Sequence, residues 1–588
     1  MTEASSGSTT PLQRTADDLE NDVKILKALV SLAADVELFT IPLYMTSLYS
    51  IAGLQSQNNG SVIPFMGPNL AYSVQGKASQ KAYNIVYSVY IQEMLHLQLA
   101  LNIGNAIGVK ADLVQPNYPP NPDNTNWIPC LGTLSDLNPQ KYPEFANIEV
   151  TLGELNKNAI DMFMAIELPD EDSLVNPPAV PLTCQADEVA ATTFGGIGNL
   201  YHIIQQYMEF EYPGQNDGTY TLFDCCYNKA VENGDGSVVQ INQFTKANDT
   251  AGYEYDGMTL EIPSGASAET AFAAVKDMIA AIISEGEGSS RSNNNFVNAH
   301  YKPNSQSGDL SPDVLWDTYS HWARFEEVKT LYKDVLTWPK WRAERELSNP
   351  GEGPWMWTDL VTDPLAPNSA ESAVGSEAVA KQMAEAWNDP AIGGQLNDIL
   401  NATFNLFLTS INNTWSSTTN SFPMAAMRSI SSRVTSVWAA GAVPQFAKPQ
   451  SSGSGTESLH ACQGLNTEEE GGKSPGQCDC ATAIAHTCAQ TNSCAGQGGC
   501  GYLLSSSSIT PPSYVPGQNT AKGNGGCGAP IPNLQIFHSD ANNSSGTKVV
   551  SKGDKVWERA RSLFFEKNPS IAKTELTPSP VRIVLPPS

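Results

Sequence analysis

The stretch "YIQEMLHLQLALNIGNAIG", residues 90–108, constrains the chain most. It reads as buried helix, yet it carries Glu93 and His96 three residues apart. At 3.6 residues per turn those two side chains share one face, together with Val86, Val89, Tyr90, Leu97, Ala100 and Ile103. A carboxylate and an imidazole withdrawn from water need a cation, a hydrogen-bond network or a proton.

The same problem recurs upstream. Residues 17–52 predict a helix, with Ile25, Leu26, Leu29, Leu32, Ala33, Val36 and Leu38 at helical spacing, and Glu37 lies inside it. With a second helix over 78–107, the two suggest an antiparallel pair. Helical bundles build metal sites from inward carboxylates plus Glu-x-x-His pairs, each helix giving one or two ligands. An oxygen and imidazole donor set suits iron or manganese, whereas the plain alternative is a satisfied buried polar network.

Further helices must complete such a site, and three residues are candidates: Glu167 in "MAIELP", His202 in "NLYHII" and His321 in "TYSHWARFEEV". Each also has an ordinary reading. Glu167 could face solvent at a helix end, His202 could be a core histidine, and His321 could pair with Asp317 four residues before it.

The remaining pattern is mainly helical, with long irregular insertions. Residues 152–169 predict a helix stopped by Pro169, and 195–213 a helix closed by Pro213. "YTLFDCCY" and "VVQINQF" look β-prone within a loop-rich stretch. "SAETAFAAVKDMIAAIISEGEG" reads as a helix opened by a Ser-to-Glu capping box, and "SPDVLWDTYSHWARFEEVKTLYKDVL" as a helix capped by Ser311. Helices are also expected at "AVGSEAVAKQMAEAWN", "GQLNDILNATFNLFLTSINNTW", "MAAMRSISSRVTSVWAAG" and "KVWERARSLFFEK". The expected division is a bundle over 17–343, a helical extension over 344–449, a linker and Cys-rich segment over 450–530 and a C-terminal segment over 531–588.

Thirty-three basic against sixty-one acidic side chains give a formal charge of -28, which speaks against nucleic acid, because neutralising phosphate takes clustered Lys and Arg. "MTEASSGSTTPLQRTADDLE" holds no apolar signal core, and the longest apolar candidate, "ALVSLAADVELFTIPLYM", is broken by Asp35, Glu37 and Pro42. A cytoplasmic protein without a membrane span is expected. Eleven tryptophans are scattered as packing anchors, with a local group between 316 and 357.

Taken in order, "ELFTIPLY", "EMLHLQLALNIGNAIG", "FMAIELPDE", "GGIGNLYHII", "IISEGEG" and "SHWARFEEV" resemble the ferritin-like domain of the iminophenyl-pyruvate dimer synthase family over roughly residues 20–340. That family acts in secondary metabolism, in bis-indole pigment biosynthesis, coupling imine products of an amino-acid oxidase. The resemblance implies a ferritin-like bundle with large insertions and a metal site drawn from Glu37, Glu93 and His96. Two positions depart from it. Asn199 in "IGNLY" and Thr318 in "TYSH" stand where the resemblance implies carboxylates.

Seven of the eleven cysteines lie after residue 460, as in "CDCATAIAHTCAQTNSCAGQGGCGY". None forms a C-x-x-C pair, so copper or zinc at the tail would rest on thiolates at looser spacings with His460 and His486. "NSCAGQGGCGY" is similar to cysteine motifs of peptides modified by multinuclear non-heme iron oxidative enzymes, which implies a modifying enzyme as a partner of the tail.

The expected function is therefore a non-heme, iron-dependent oxidoreductase or imine-coupling enzyme, mono- or dinuclear. Its partners would be a small amino-acid-derived metabolite and O2, with a homo-oligomer left open. The alternative is a non-catalytic metal-binding or storage protein, with the bundle as scaffold and the cysteine tail as ligand.

Overall fold

A computed structural model describes residues 14–52, 74–116, 148–168, 194–214, 218–233, 261–283, 320–356, 392–415 and 424–446, with short pieces elsewhere. The expected helices at 373–388 and 555–567, the segment "VVQINQF" and the cysteine tail lie wholly or largely outside the described residues.

Two long helices, α1 (Leu19–Leu48) and α2 (Val74–Ala106), form the spine. They run antiparallel. Near the start of α1, Lys27 Nζ donates to the Gly108 carbonyl just beyond the end of α2; at mid-length Thr40 meets Glu93; and Tyr49, after α1, packs edge-on against Tyr83 early in α2. Helix α1 continues through Pro42, although proline has no amide to donate to the preceding turn.

Shorter helices close around this pair: α3 (Lys157–Ile166), α4 (Ile197–Met208), α5 (Leu222–Glu232), α6 (Ala268–Ile282) and α7 (His321–Leu331). Four of these five starts are set by side-chain caps, and α4 opens at Gly196 without one. Asn156 Oδ1 accepts from the Ala159 amide, and Ser320 Oγ accepts from the Ala323 amide.

Several sequence expectations are corrected. The helix expected to run to Pro213 ends at Met208, and β3 (Glu211–Pro213) pairs antiparallel with β4 (Thr219–Thr221), following a first hairpin of β1 (Leu54–Ser56) and β2 (Val62–Pro64). The β-prone "YTLFDCCY" is mostly the start of α5. Thr221 and Asp224 exchange hydrogen bonds in a capping box, and this local chemistry overrides β propensity.

At α6 the cap is Ser267, but its Oγ accepts from the Thr270 amide; Glu269 sits one residue too early to close a box. The described part of the "TYSHWARFEEV" helix begins at His321 with Ser320 as its cap, and Ser311 lies outside the described residues.

Helices α8 (Trp338–Ser348), α9 (Ile392–Thr414) and α10 (Met424–Ala439) share one continuous hydrophobic core with the bundle, reaching Phe446. Trp438 Nε1 donates to the Thr46 carbonyl of α1, and Trp355 Nε1 and Arg342 Nη1 both donate to the Ala439 carbonyl at the end of α10. Trp338, Trp341 and Trp355 pack edge-on or tilted with ring centroids 4.8–5.8 Å apart, so this part of the tryptophan group does anchor packing. Among the described residues, no helix is long and apolar enough to cross a membrane.

Two charged groups on α1 are unusually placed. Asp22, fully buried, accepts both Arg14 Nε and Nη2 at 2.7 and 2.6 Å and the Tyr212 hydroxyl at 2.6 Å, which ties the residues before α1 to β3. Asp22→Ala would leave a largely buried guanidinium without its carboxylate, at a cost of about 3 kcal/mol measurable by denaturant unfolding.

Asp35 lies beside a cavity of about 50 Å³ shared with Asp112, Lys110 and Leu101, and burial, with the like charge of Asp112, pushes its carboxyl up to about 6. Since the raised value exceeds that of the unfolded chain, ionising Asp35 costs stability progressively as pH rises from about 4 through about 6. Asp35→Asn is therefore expected to be more stable than the parent at pH 8, the gain vanishing below about pH 4 in paired melting curves.

Candidate metal centre

Glu37 on α1, Glu93 and His96 on α2, Glu167 closing α3 and His321 opening α7 are all fully buried and converge between these four helices. His321 Nδ1 lies 2.9 Å from Glu93 Oε1 and 3.4 Å from Glu167 Oε2. His96 Nδ1 lies 3.8 Å from Glu93 Oε1 and 3.9 Å from Glu37 Oε2. The two imidazoles stack with centroids 5.4 Å apart, 28° from parallel. Glu93, His96 and His321 can each offer a ligand atom within 4.8 Å of the others. Bonds of about 2.1 Å place donors up to roughly 4 Å apart across one cation, so the cluster is close to ligating size.

The carboxylates are held in one manner. Tyr201 on α4 donates to Glu37 Oε1 at 2.6 Å, Thr40 donates to Glu93 Oε2 at 2.6 Å, and Tyr44 donates to Glu167 Oε1. Each hydroxyl fixes one oxygen and leaves the other directed at an imidazole. Glu93 Oε1, Glu167 Oε2 and His321 Nδ1 are buried without a hydrogen bond among the described residues. Three such atoms facing one another form the arrangement a cation would satisfy.

The electrostatics agree. Burial favours neutral His321, but Glu167 and Glu93 outweigh it and raise its pKa. Burial, reinforced by the charge of Glu93, raises Glu167. Burial also pushes Glu93 upward, yet His321, His96 and Thr40 together leave it below the usual carboxylate range. The carboxylates that favour a proton on His321 are the same groups whose charge a metal ion would offset.

The sixth expected residue, His202, does not join them. It occupies the exposed side of α4, while its neighbour Tyr201 points inward to Glu37. The buried stripe of α4 runs through Ile197, Leu200, Tyr201, Ile204, Tyr207 and Met208, and position 202 is out of phase with it. Asn199 is half-buried, with Nδ2 unpartnered among the described residues, and Thr318 lies outside them.

Sequence reasoning also missed the supporting residues Thr40, Tyr44, Tyr201, Ser88, Gln92 and Arg324. For four of them helical spacing held the signal: Thr40 and Tyr44 follow Glu37 by three and seven residues, Ser88 precedes Gln92 by four, and Arg324 follows His321 by three.

A protein-family model described as ferritin-like matches residues 30–330, just over half of the 588. Comparison with curated proteins finds no match. Among solved structures, a ferritin-like protein from Caulobacter vibrioides, determined at 1.95 Å resolution, is 21% identical with a TM-score of 0.38; the alignment covers 74% of this chain and 100% of that one.

Gathering three carboxylates here opposes folding of the metal-free protein. Glu167→Gln should therefore raise the melting temperature of metal-free protein by a few degrees while weakening stabilisation by added Fe(II), both read by differential scanning fluorimetry.

Proposed function

Because the chain belongs to the ferritin-like family, we propose that its bundle holds a non-heme iron centre, mono- or dinuclear, and uses it as an oxidoreductase or imine-coupling enzyme on a small amino-acid-derived metabolite. The observation that supports this is the convergence of Glu37, Glu93, His96, Glu167 and His321 from four helices, with Glu93 Oε1, Glu167 Oε2 and His321 Nδ1 buried without a hydrogen bond among the described residues. The resemblance to iminophenyl-pyruvate dimer synthases suggests the imine-derived substrate, whereas O2 as the oxidant follows from the carboxylate and imidazole donor set.

The donor set fits the group. Carboxylates and imidazoles favour iron, with manganese as the other cation the same donors accept. When bound, iron would supply redox and Lewis-acid chemistry at open coordination positions. The protein's part is placement. Glu37, Glu93, Glu167, His96 and His321 would bind, while the hydroxyls of Tyr201, Thr40 and Tyr44 keep each carboxylate from rotating. Tyr44, Phe163 and Phe325 pack ring against ring within 4.7–5.2 Å, an apolar wall beside Glu167 that keeps water from that side.

Elemental analysis of full-length protein and of Glu93→Ala tests the centre. The expected result is near-stoichiometric iron or manganese in the parent and a loss of most of it in the variant. Equal, near-zero metal in both ends the proposal. Imine generated beforehand and separated from the amino-acid oxidase, which itself consumes O2, then distinguishes oxidation, which would consume further O2, from coupling, which would proceed under anaerobic conditions.

A further inference from the structure

Behind His321 lies a second buried group that the proposed binding role leaves unused. His321 Nε2 sits 3.0 Å from Gln92 Oε1, on the side of the ring away from Glu93 and Glu167. The same Oε1 accepts from Arg324 Nη1 at 2.7 Å, and Arg324 Nη1 also donates to Ser88 Oγ at 3.0 Å. Arg324 is 1% exposed, with its guanidinium inside the bundle.

The chemistry of these groups fixes their protons. A guanidinium only donates, so the Gln92 atom against Arg324 must be the carbonyl oxygen and not the amide nitrogen. That oxygen only accepts, so the imidazole nitrogen facing it must carry a hydrogen. In neutral imidazole the other nitrogen then keeps its lone pair. Gln92 Nε2 is itself buried without a hydrogen-bond partner among the described residues, so the amide holds this orientation with no reward on its other side.

We propose that Arg324 orients Gln92, and that Gln92 locks His321 in the Nε2–H tautomer, so that Nδ1 is the nitrogen presented to the metal. The proposal rests on the metal-centre reading for its purpose, though not for its geometry. Gln92 and Arg324 are positioning residues. Neither touches the ligand position, and they act through His321.

Nitrogen-15 NMR of full-length, histidine-labelled protein tests this, with His321 assigned by its loss in His321→Asn. In metal-free parent at alkaline pH the expected form is protonated Nε2 with bare Nδ1. Zinc(II), a diamagnetic probe, should then perturb Nδ1 and leave Nε2–H in place. Gln92→Met removes the acceptor and should release the tautomer and weaken zinc binding by about 10- to 100-fold. Gln92→Glu retains an acceptor and should keep both tautomer and affinity.

A purely structural role would lower the melting temperature of Gln92→Met without moving the tautomer. An Nδ1–H form in the parent, zinc on Nε2, or unchanged tautomer and affinity in Gln92→Met would each overturn the proposal. The parent spectrum needs no variant to fold. Parent protein that shows Nε2–H but takes up no zinc would sink the metal-centre reading while upholding the lock.

Discussion

The structure depends on one electrostatic constraint: three carboxylates and two imidazoles are kept from water in the space between four helices. Taking one isolated carboxylate out of water costs several kcal/mol even after relaxation, so none of these groups could be buried alone. The bundle answers with a shared environment. Hydroxyls from α1 and α4 satisfy one oxygen of each carboxylate, imidazoles face the others, and the remaining demand is one that a cation would meet. The surrounding core, from Leu26 through Phe325 to Val437, provides the apolar burial that offsets this charge assembly.

The spine and its polar residues were legible because they depend on local geometry. Glu93 and His96 share a face by arithmetic, and Glu37 stood out as acidic in an apolar helix. Glu167 and His321 were visible only as candidates, since long intervening loops decide whether distant helices meet, and no helical period reports on that. His202 drew attention because imidazole is a familiar ligand, although the apolar phase of α4 favoured Tyr201. Gln92, Thr40 and Ser88 escaped notice for a different reason. Neutral polar residues are ordinary in helices, so the helical spacing of Thr40 and Ser88 gains its meaning once a buried cation or carboxylate is found against them.

Helices α8 to α10 bring their tryptophans against this same spine. Trp438 reaches the Thr46 carbonyl beyond Pro42, and the Tyr90 and Ser431 hydroxyls lie 3.4 Å apart across the α2–α10 contact. These links fall on the part of α1 and α2 away from the Arg14–Asp22 tie, so the long pair is braced at both ends with the candidate metal centre between them. Rigid supports on either side hold donors in place better than a site on loops could.

Helix α1 presents Glu37, Thr40 and Tyr44 along a single side, one as a candidate ligand and two as latches for carboxylates on other helices. One residue gained or lost between 37 and 40 would swing everything beyond it by about 100° and carry both latches out of register with Glu37 together. Length is tolerated better in the connections between helices than in this short ruler. There the polypeptide can run long without turning the centre, as in the spans between α2 and α3 and between α6 and α7.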